Sequence, residues 1–93
     1  MEHYYQCAFH IYKNGDKKTR PHIKNHIIKA ENAAQAYSTA QALCSCEGIW
    51  KMVTPGALPV CRHSDIRPIL KESALREISI NPNLLLELPP SRK

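Results

Sequence analysis

The chain has 93 residues and a mass of 10.6 kDa, with 43% hydrophobic and 23% charged residues, which excludes a disordered tail and more than one small domain. Only 6% of residues are aromatic, so Ala, Ile and Leu must supply much of the core. A formal net charge of +5 and a pI near 9.2 favour an acidic partner, without choosing between nucleic acid, an anionic membrane surface and an acidic protein.

Residues 3–13 alternate as a strand does. Tyr5, Cys7, Phe9 and Ile11 form one, apolar, face, and Tyr4, Gln6, Ala8 and His10 form the other. Asn14-Gly15 follows, a hairpin signal. Residues 19–30 read as the second strand, with Ile23 and Ile27 on one face and Arg20, His22, Lys24 and His26 on a basic opposite face. A two-residue turn would place Ile23 across from Gln6 and set the two apolar faces on opposite sides. A three- or five-residue loop at 13–17 aligns odd residues with odd residues and is the expected solution. Pro21 has no N–H to give, so this strand is expected at an edge.

Asn32 and Gln35 make a capping box for a helix over 32–46, in which Ala33, Tyr37, Ala40 and Leu43 or Cys44 recur at helical spacing. Its alanines favour the helix and would let it sit close to a sheet, and Gly48 suits a stop. Residues 49–53 read as a short strand, and Thr54-Pro55-Gly56 as a turn. Residues 65–76 are ambiguous. Pro68 suits the first turn of a second helix, with Ile69, Leu70, Ser73 and Leu75 on one side. Residues 76–80 alternate like a strand, Asn81-Pro82-Asn83 reads as a turn, and residues 84–88 as a returning strand.

The expectation is therefore α+β. An N-terminal β-hairpin packs against an Ala-rich helix, followed by short strands and a short second helix. One domain covers 1–88, and 89–93 form a tail. No basic-then-apolar leader is visible, and the aliphatic run at 84–88 is too short to cross a bilayer. A cytoplasmic location follows as the expectation, with no membrane partner and with cysteines held reduced.

Cys44-x-Cys46 and Cys61-x-His63 supply four ligands of the kind zinc prefers, making Cys44, Cys46, Cys61 and His63 the candidate set for a structural zinc. One intervening residue is tighter than the usual two to four. Within a helix, Cys44 and Cys46 would point about 200° apart. Two other readings stand beside it. Cys7 and Cys44 fall on apolar faces and suit burial as small hydrophobes. A Cys46–Cys61 disulfide would require an oxidising compartment.

Nothing in the chain matches a metalloprotease, phosphate-loop, dinucleotide or serine-hydrolase motif, and its acidic residues are scattered. A non-enzymatic binding protein is the expected class. The first thirty residues carry Lys13, Lys17, Lys18, Arg20, Lys24 and Lys29 against Glu2 and Asp16, whereas residues 32–46 carry no charge. Lys13, Lys17, Lys18, Arg20 and Lys24 are thus candidate nucleic-acid contacts on a basic hairpin, with Tyr4 and Tyr12 able to stack on bases. The alternative use of the same positions is solvation or protection of a sheet edge. A second class of function is a module or inhibitor that binds protein, including a second copy as a homodimer. Strand alternation over 84–88 leaves Leu85 facing outward, the candidate partner contact.

Overall fold

In the computed structural model, the described residues are 3–12, 18, 20–50 and 58–88. The elements in order are β1 (His3–Ile11), β2 (His22–Ala30), α1 (Ala33–Cys44), the single turn α2 (Glu47–Trp50), β3 (Ile66–Ile69) and α3 (Lys71–Ile80). Short 3-10 turns lie at His63–Asp65 and Pro82–Leu84. β1 is the centre of a three-stranded antiparallel sheet of order β2-β1-β3. The fold is α+β, with the N-terminal hairpin packed by the Ala-rich helix. β2 is an edge strand, as Pro21 implied.

The hairpin register differs from the expected one. His3 pairs with Ala30 and Ile11 with His22, so odd residues face even ones, and residues 12–21 connect the strands. His22, Lys24, His26 and Ile28 therefore share the face of Tyr5, Cys7, Phe9 and Ile11, and Ile23 and Ile27 take the other. The expectation assumed a sheet with one buried face. Here both faces are partly covered, and the Ile27-Ile28 doublet serves both: Ile28 is fully buried on the face that α1 covers, while Ile27 is buried beside Leu84 and Glu77.

α1 begins where Asn32 Oδ1 accepts the Gln35 N–H at 2.8 Å, while the Gln35 side chain accepts the Glu31 N–H. It ends at Cys44 rather than 46. Its buried side is Ala36, Ala40, Leu43 and Cys44, whereas Ala33 is exposed and Tyr37 half-buried. Gly48 is no stop, because the chain resumes for one turn in α2 and sends Trp50 into the core. The strand expected from residue 49 is thus helical at Ile49 and Trp50, and residues 51–57 lie outside the described ones. The Trp50 Nε1–H donates to Leu43 O at 2.8 Å, a carbonyl in the last turn of α1 that also accepts the Cys46 N–H at 3.1 Å. Its ring lies 5.0 Å from Phe9 and 5.8 Å from His26, centroid to centroid.

Pro68 sits in β3, not in a helix. An edge strand has an outward side that needs no N–H, so the proline is tolerated. The alternation at 76–80 proves helical. A run of good helix formers from Lys71 carries α3 through to Ile80, burying Ala74 and half-burying Ile78 one turn on, and leaving Ile80 exposed. The Asn81 side chain accepts the Asn83 N–H at 3.2 Å and Pro82 opens the 3-10 turn. After it the chain makes one parallel bridge, Ile27 with Leu85, in which Leu86 N–H donates to Ile27 O at 2.9 Å. Leu84, Leu85 and Leu86 are all half-buried, so the expected alternation of buried and exposed residues is not seen and Leu85 falls in the same burial range as its neighbours. Residues 89–93 lie outside the described ones.

Candidate functional site

The connection between β1 and β2 is the most cationic stretch of the chain: Lys13, Lys17, Lys18 and Arg20 against Asp16. Lys13 and Lys17 lie outside the described residues. Lys18 and Arg20 are exposed, and His22, the first residue of β2, is exposed beside them. Lys24 is half-buried and pairs with Phe9, on the α1 side of the sheet rather than on a wet basic face. Among acids of the described residues, Glu31 and Glu87 line a cleft at the far end of β2, and Glu72 opens α3. Tyr12 adjoins the basic connection. Tyr4 does not: it lines an open cleft of about 630 Å³ at the other end of β1, with His3, Asn32, Leu70 and Lys71. Eight residues of strand, roughly 27 Å, separate the two tyrosines, so they form no common stacking platform.

Asp65 lies nearer the basic end, and its charge is locally engaged. Its carboxylate accepts the Arg62 N–H at 2.9 Å, lies 3.5 Å from Arg62 Nε and stands 3.2 Å from His10 Nε2. The His10 contact is a close ion-pair approach, not an aligned hydrogen bond. Burial pushes the Asp65 carboxyl up, but the Arg62 N–H, His10 and the Arg62 guanidinium together hold it below the ordinary value.

His26, expected on a wet face, is instead half-buried against Phe9 and Trp50, with Nδ1 3.2 Å from Leu84 O. Burial lowers its pKa below 6.5, and Lys24 adds to this. The Leu84 and Asn83 carbonyls oppose it without overcoming it. The folded chain therefore holds His26 neutral where the unfolded chain would protonate it. The stability it contributes is fully present above pH 6.5 and erodes as the pH falls below that value. Urea midpoints measured from pH 7.5 to 4.5 should fall more steeply for the parent than for His26→Gln. Parallel curves would remove His26 as the cause.

The cysteines do not gather as the sequence suggested. Among the described residues, no three His, Cys, Asp or Glu side chains are arranged to hold a metal ion. Of the candidate zinc set, Cys44 and Cys61 are neighbours. The Cys46 thiol instead donates to Ala42 O at 3.3 Å, within its own helical end, and the exposed His63 ring stacks on Tyr37 with centroids 3.6 Å apart. The residue the sequence missed here is Cys7. Its place on the inward face of β1 signalled burial, but nothing signalled that Cys61 would lie against it.

Cys61 is positioned by two elements. His10 and Val60 exchange both backbone hydrogen bonds, at 2.9 and 2.8 Å, so the residue after Val60 turns to the core side together with Phe9. From the helix, Gln41 Nε2 donates to Cys61 O, tying it beside the last turn of α1. Cys7, Cys44 and Cys61 are all buried in one cluster, and all four cysteines are free thiols. The Cys7 and Cys61 side chains interact, which together with burial raises the Cys7 pKa, and which holds that of Cys61 below its ordinary value against its burial and the Asp65 carboxylate. Burial, with the nearby Cys61, pushes the Cys44 thiol up to about 12.

No helix among the described residues is long and apolar enough to cross a membrane. Compared with protein-family models, curated proteins and solved structures, the chain matches none.

Proposed function

We propose that the protein is a small non-enzymatic nucleic-acid-binding domain whose contact surface is the basic connection between β1 and β2. The observation that carries this reading is charge segregation. Lys18, Arg20 and His22 are exposed together at one end of the sheet, within a sequence stretch that adds Lys13 and Lys17. The other end is mixed in charge, with Glu31 and Glu87 beside Lys29 and Lys71. Cations gathered on a turn can follow a phosphate backbone, because each phosphate they neutralise releases condensed counterions. The reading assigns the turn an electrostatic contact, not base readout, since the two candidate stacking residues stand far apart.

The test is fluorescence anisotropy with labelled single- and double-stranded DNA and duplex RNA across a salt series. Three to four phosphate contacts predict a slope of log affinity against log salt of about −3. The triple change Lys17→Ala, Lys18→Ala, Arg20→Ala should flatten that slope to near zero with an unchanged far-ultraviolet circular dichroism spectrum. Absence of binding by the parent to all three probes at low salt would end the reading. An unchanged slope in the triple variant would move the contact off this turn.

A further inference from the structure

We propose that the outer edge of β2 over His22–Asn25 takes an added antiparallel strand from an extended, acidic segment of another protein.

One bond defines this edge. Leu86 N–H donates to Ile27 O at 2.9 Å, and Leu86 lies outside the β1–β2 ladder, so the backbone of Ile27 faces away from β1. The register of β2 on β1 runs unbroken from His22 to Ala30. Within such a ladder, alternate residues turn their N–H and C=O to the same side, so Ile23 and Asn25 face outward with Ile27. At Ile27 the C-terminal segment covers the edge. At Ile23 and Asn25, among the described residues, no backbone group bonds to it. A row of outward N–H and C=O groups therefore stands open there. β3, the opposite edge of the sheet, is less suited. It has four residues, and one of them, Pro68, has no N–H.

The occupant follows from what flanks the row. Residues 17–30 hold Lys17, Lys18, Arg20, Lys24 and Lys29 and no acid, and β1 holds no acid either. Arg20 and His22 are exposed, and Lys24 is half-buried. Pairing with a second copy of this edge would set these cations against one another, which disfavours a dimer here. An acidic strand reverses the sign of that interaction. Side-chain alternation then gives the segment a pattern. His22 and Lys24 lie on the α1 side of the sheet, and Ile23, 49% exposed, lies on the other. Carboxylates across from His22 and Lys24 should alternate with an apolar residue across from Ile23. Glu77 lies beside Asn25 and Ile27, so the acidic run should end before that point. Cations alone would guard the edge, whereas Ile23 between them adds apolar area that a covering strand buries. A nucleic-acid backbone fits the row less well, because phosphates accept hydrogen bonds but leave the outward C=O groups without donors.

The probe is an end-capped hexapeptide alternating glutamate and valine, titrated into the isotope-labelled protein and followed by amide NMR. The expected result is saturable binding with slowed hydrogen exchange at the Ile23 and Asn25 amides. The His22 and Lys24 amides, which face β1, should gain less protection. Backbone N-methylation separates strand pairing from charge attraction. In an antiparallel pair the residue across from Ile23 turns its own N–H towards β2. N-methylation of the valines should therefore weaken binding by about tenfold or more, the worth of one to two hydrogen bonds. N-methylation of the glutamates, whose N–H groups point away, should change it by less than about threefold. Absence of peptide binding overturns the proposal, as does equal binding of a lysine–valine peptide or equal binding of the two methylated peptides. Protection of Ile23 and Asn25 by duplex DNA and not by the peptide also overturns it, and assigns the edge to nucleic acid. The basic turn is not varied, so the result is independent of the nucleic-acid reading.

Discussion

Trp50→Ala should unfold the protein at temperatures where the parent is stable. The indole is 1% exposed and contacts Phe9 and His26, and its Nε1–H donates to Leu43 O. Truncating a buried Trp costs about 3–5 kcal/mol. A domain of this size has about 5–15 kcal/mol in total. With a sensitivity of about 4–8 °C per kcal/mol for chains of this length, the midpoint should drop by roughly 15–30 °C. Trp50→Phe separates the two contributions. It keeps a six-membered ring and loses the donor, while Leu43 O retains the Cys46 N–H at 3.1 Å, so the hydrogen-bond part of the loss should be only about 0.5–1.5 kcal/mol. Thermal melts by circular dichroism decide the matter, since the variants lack the chain's one tryptophan as a fluorophore. A Trp50→Ala midpoint within a few degrees of the parent would mean that α2 does not pin the core.

Trp50 also marks the limit of what the sequence disclosed. The hairpin and α1 were legible because their signals are local: two-residue alternation in 3–11, and an Asn32–Gln35 cap ahead of an alanine run. α2 was not, since Gly48 resembles a helix stop and Ile49-Trp50 suits a strand. What makes these residues helical is the burial of one indole beneath α1, a tertiary event with no period to read. Register failed for a related reason. Alternation in β2 decides between faces only when one face is wet, and Ile27 and Ile28 are both buried. At 76–80 two periods competed over five residues. The helical reading prevailed because α3 starts at Lys71, outside the window in which the alternation was seen.

The candidate sites divide in the same way. The basic turn is a property of composition, and Lys18 and Arg20 are exposed as composition suggests. The thiol arrangement depends on distance in the fold. Pairing by sequence proximity joined Cys44 with Cys46 and Cys61 with His63, yet the thiol beside Cys61 comes from β1, more than fifty positions away. His26 shows the complementary error. It was placed on a wet face by register, and its half-burial with a lowered pKa follows from the register that forms.

Ala36→Leu should cost about 1–3 kcal/mol, although leucine is itself a good helix former. Ala36 and Ala40 are both fully buried, in one cluster with Tyr5, Ile28 and Ala30. At these positions α1 contributes only methyl groups to its contact with the sheet. A leucine at 36 must push the helix away or take a strained rotamer, and the helix is also held by the Gln41 bond to Cys61 and by Trp50 beneath Leu43. The change Ala34→Leu, on the exposed side of the same helix, should stay within about 0.5 kcal/mol and serves as the control for propensity. Ala40 is one turn from Ala36, so the two sites share the same space and their effects should not add. If the first leucine lifts α1, the second finds room already made. The double variant should then lose less than the sum of the single ones in urea unfolding. A single Ala36→Leu protein at least as stable as the parent would show slack between α1 and the sheet, and close approach would no longer explain the alanines.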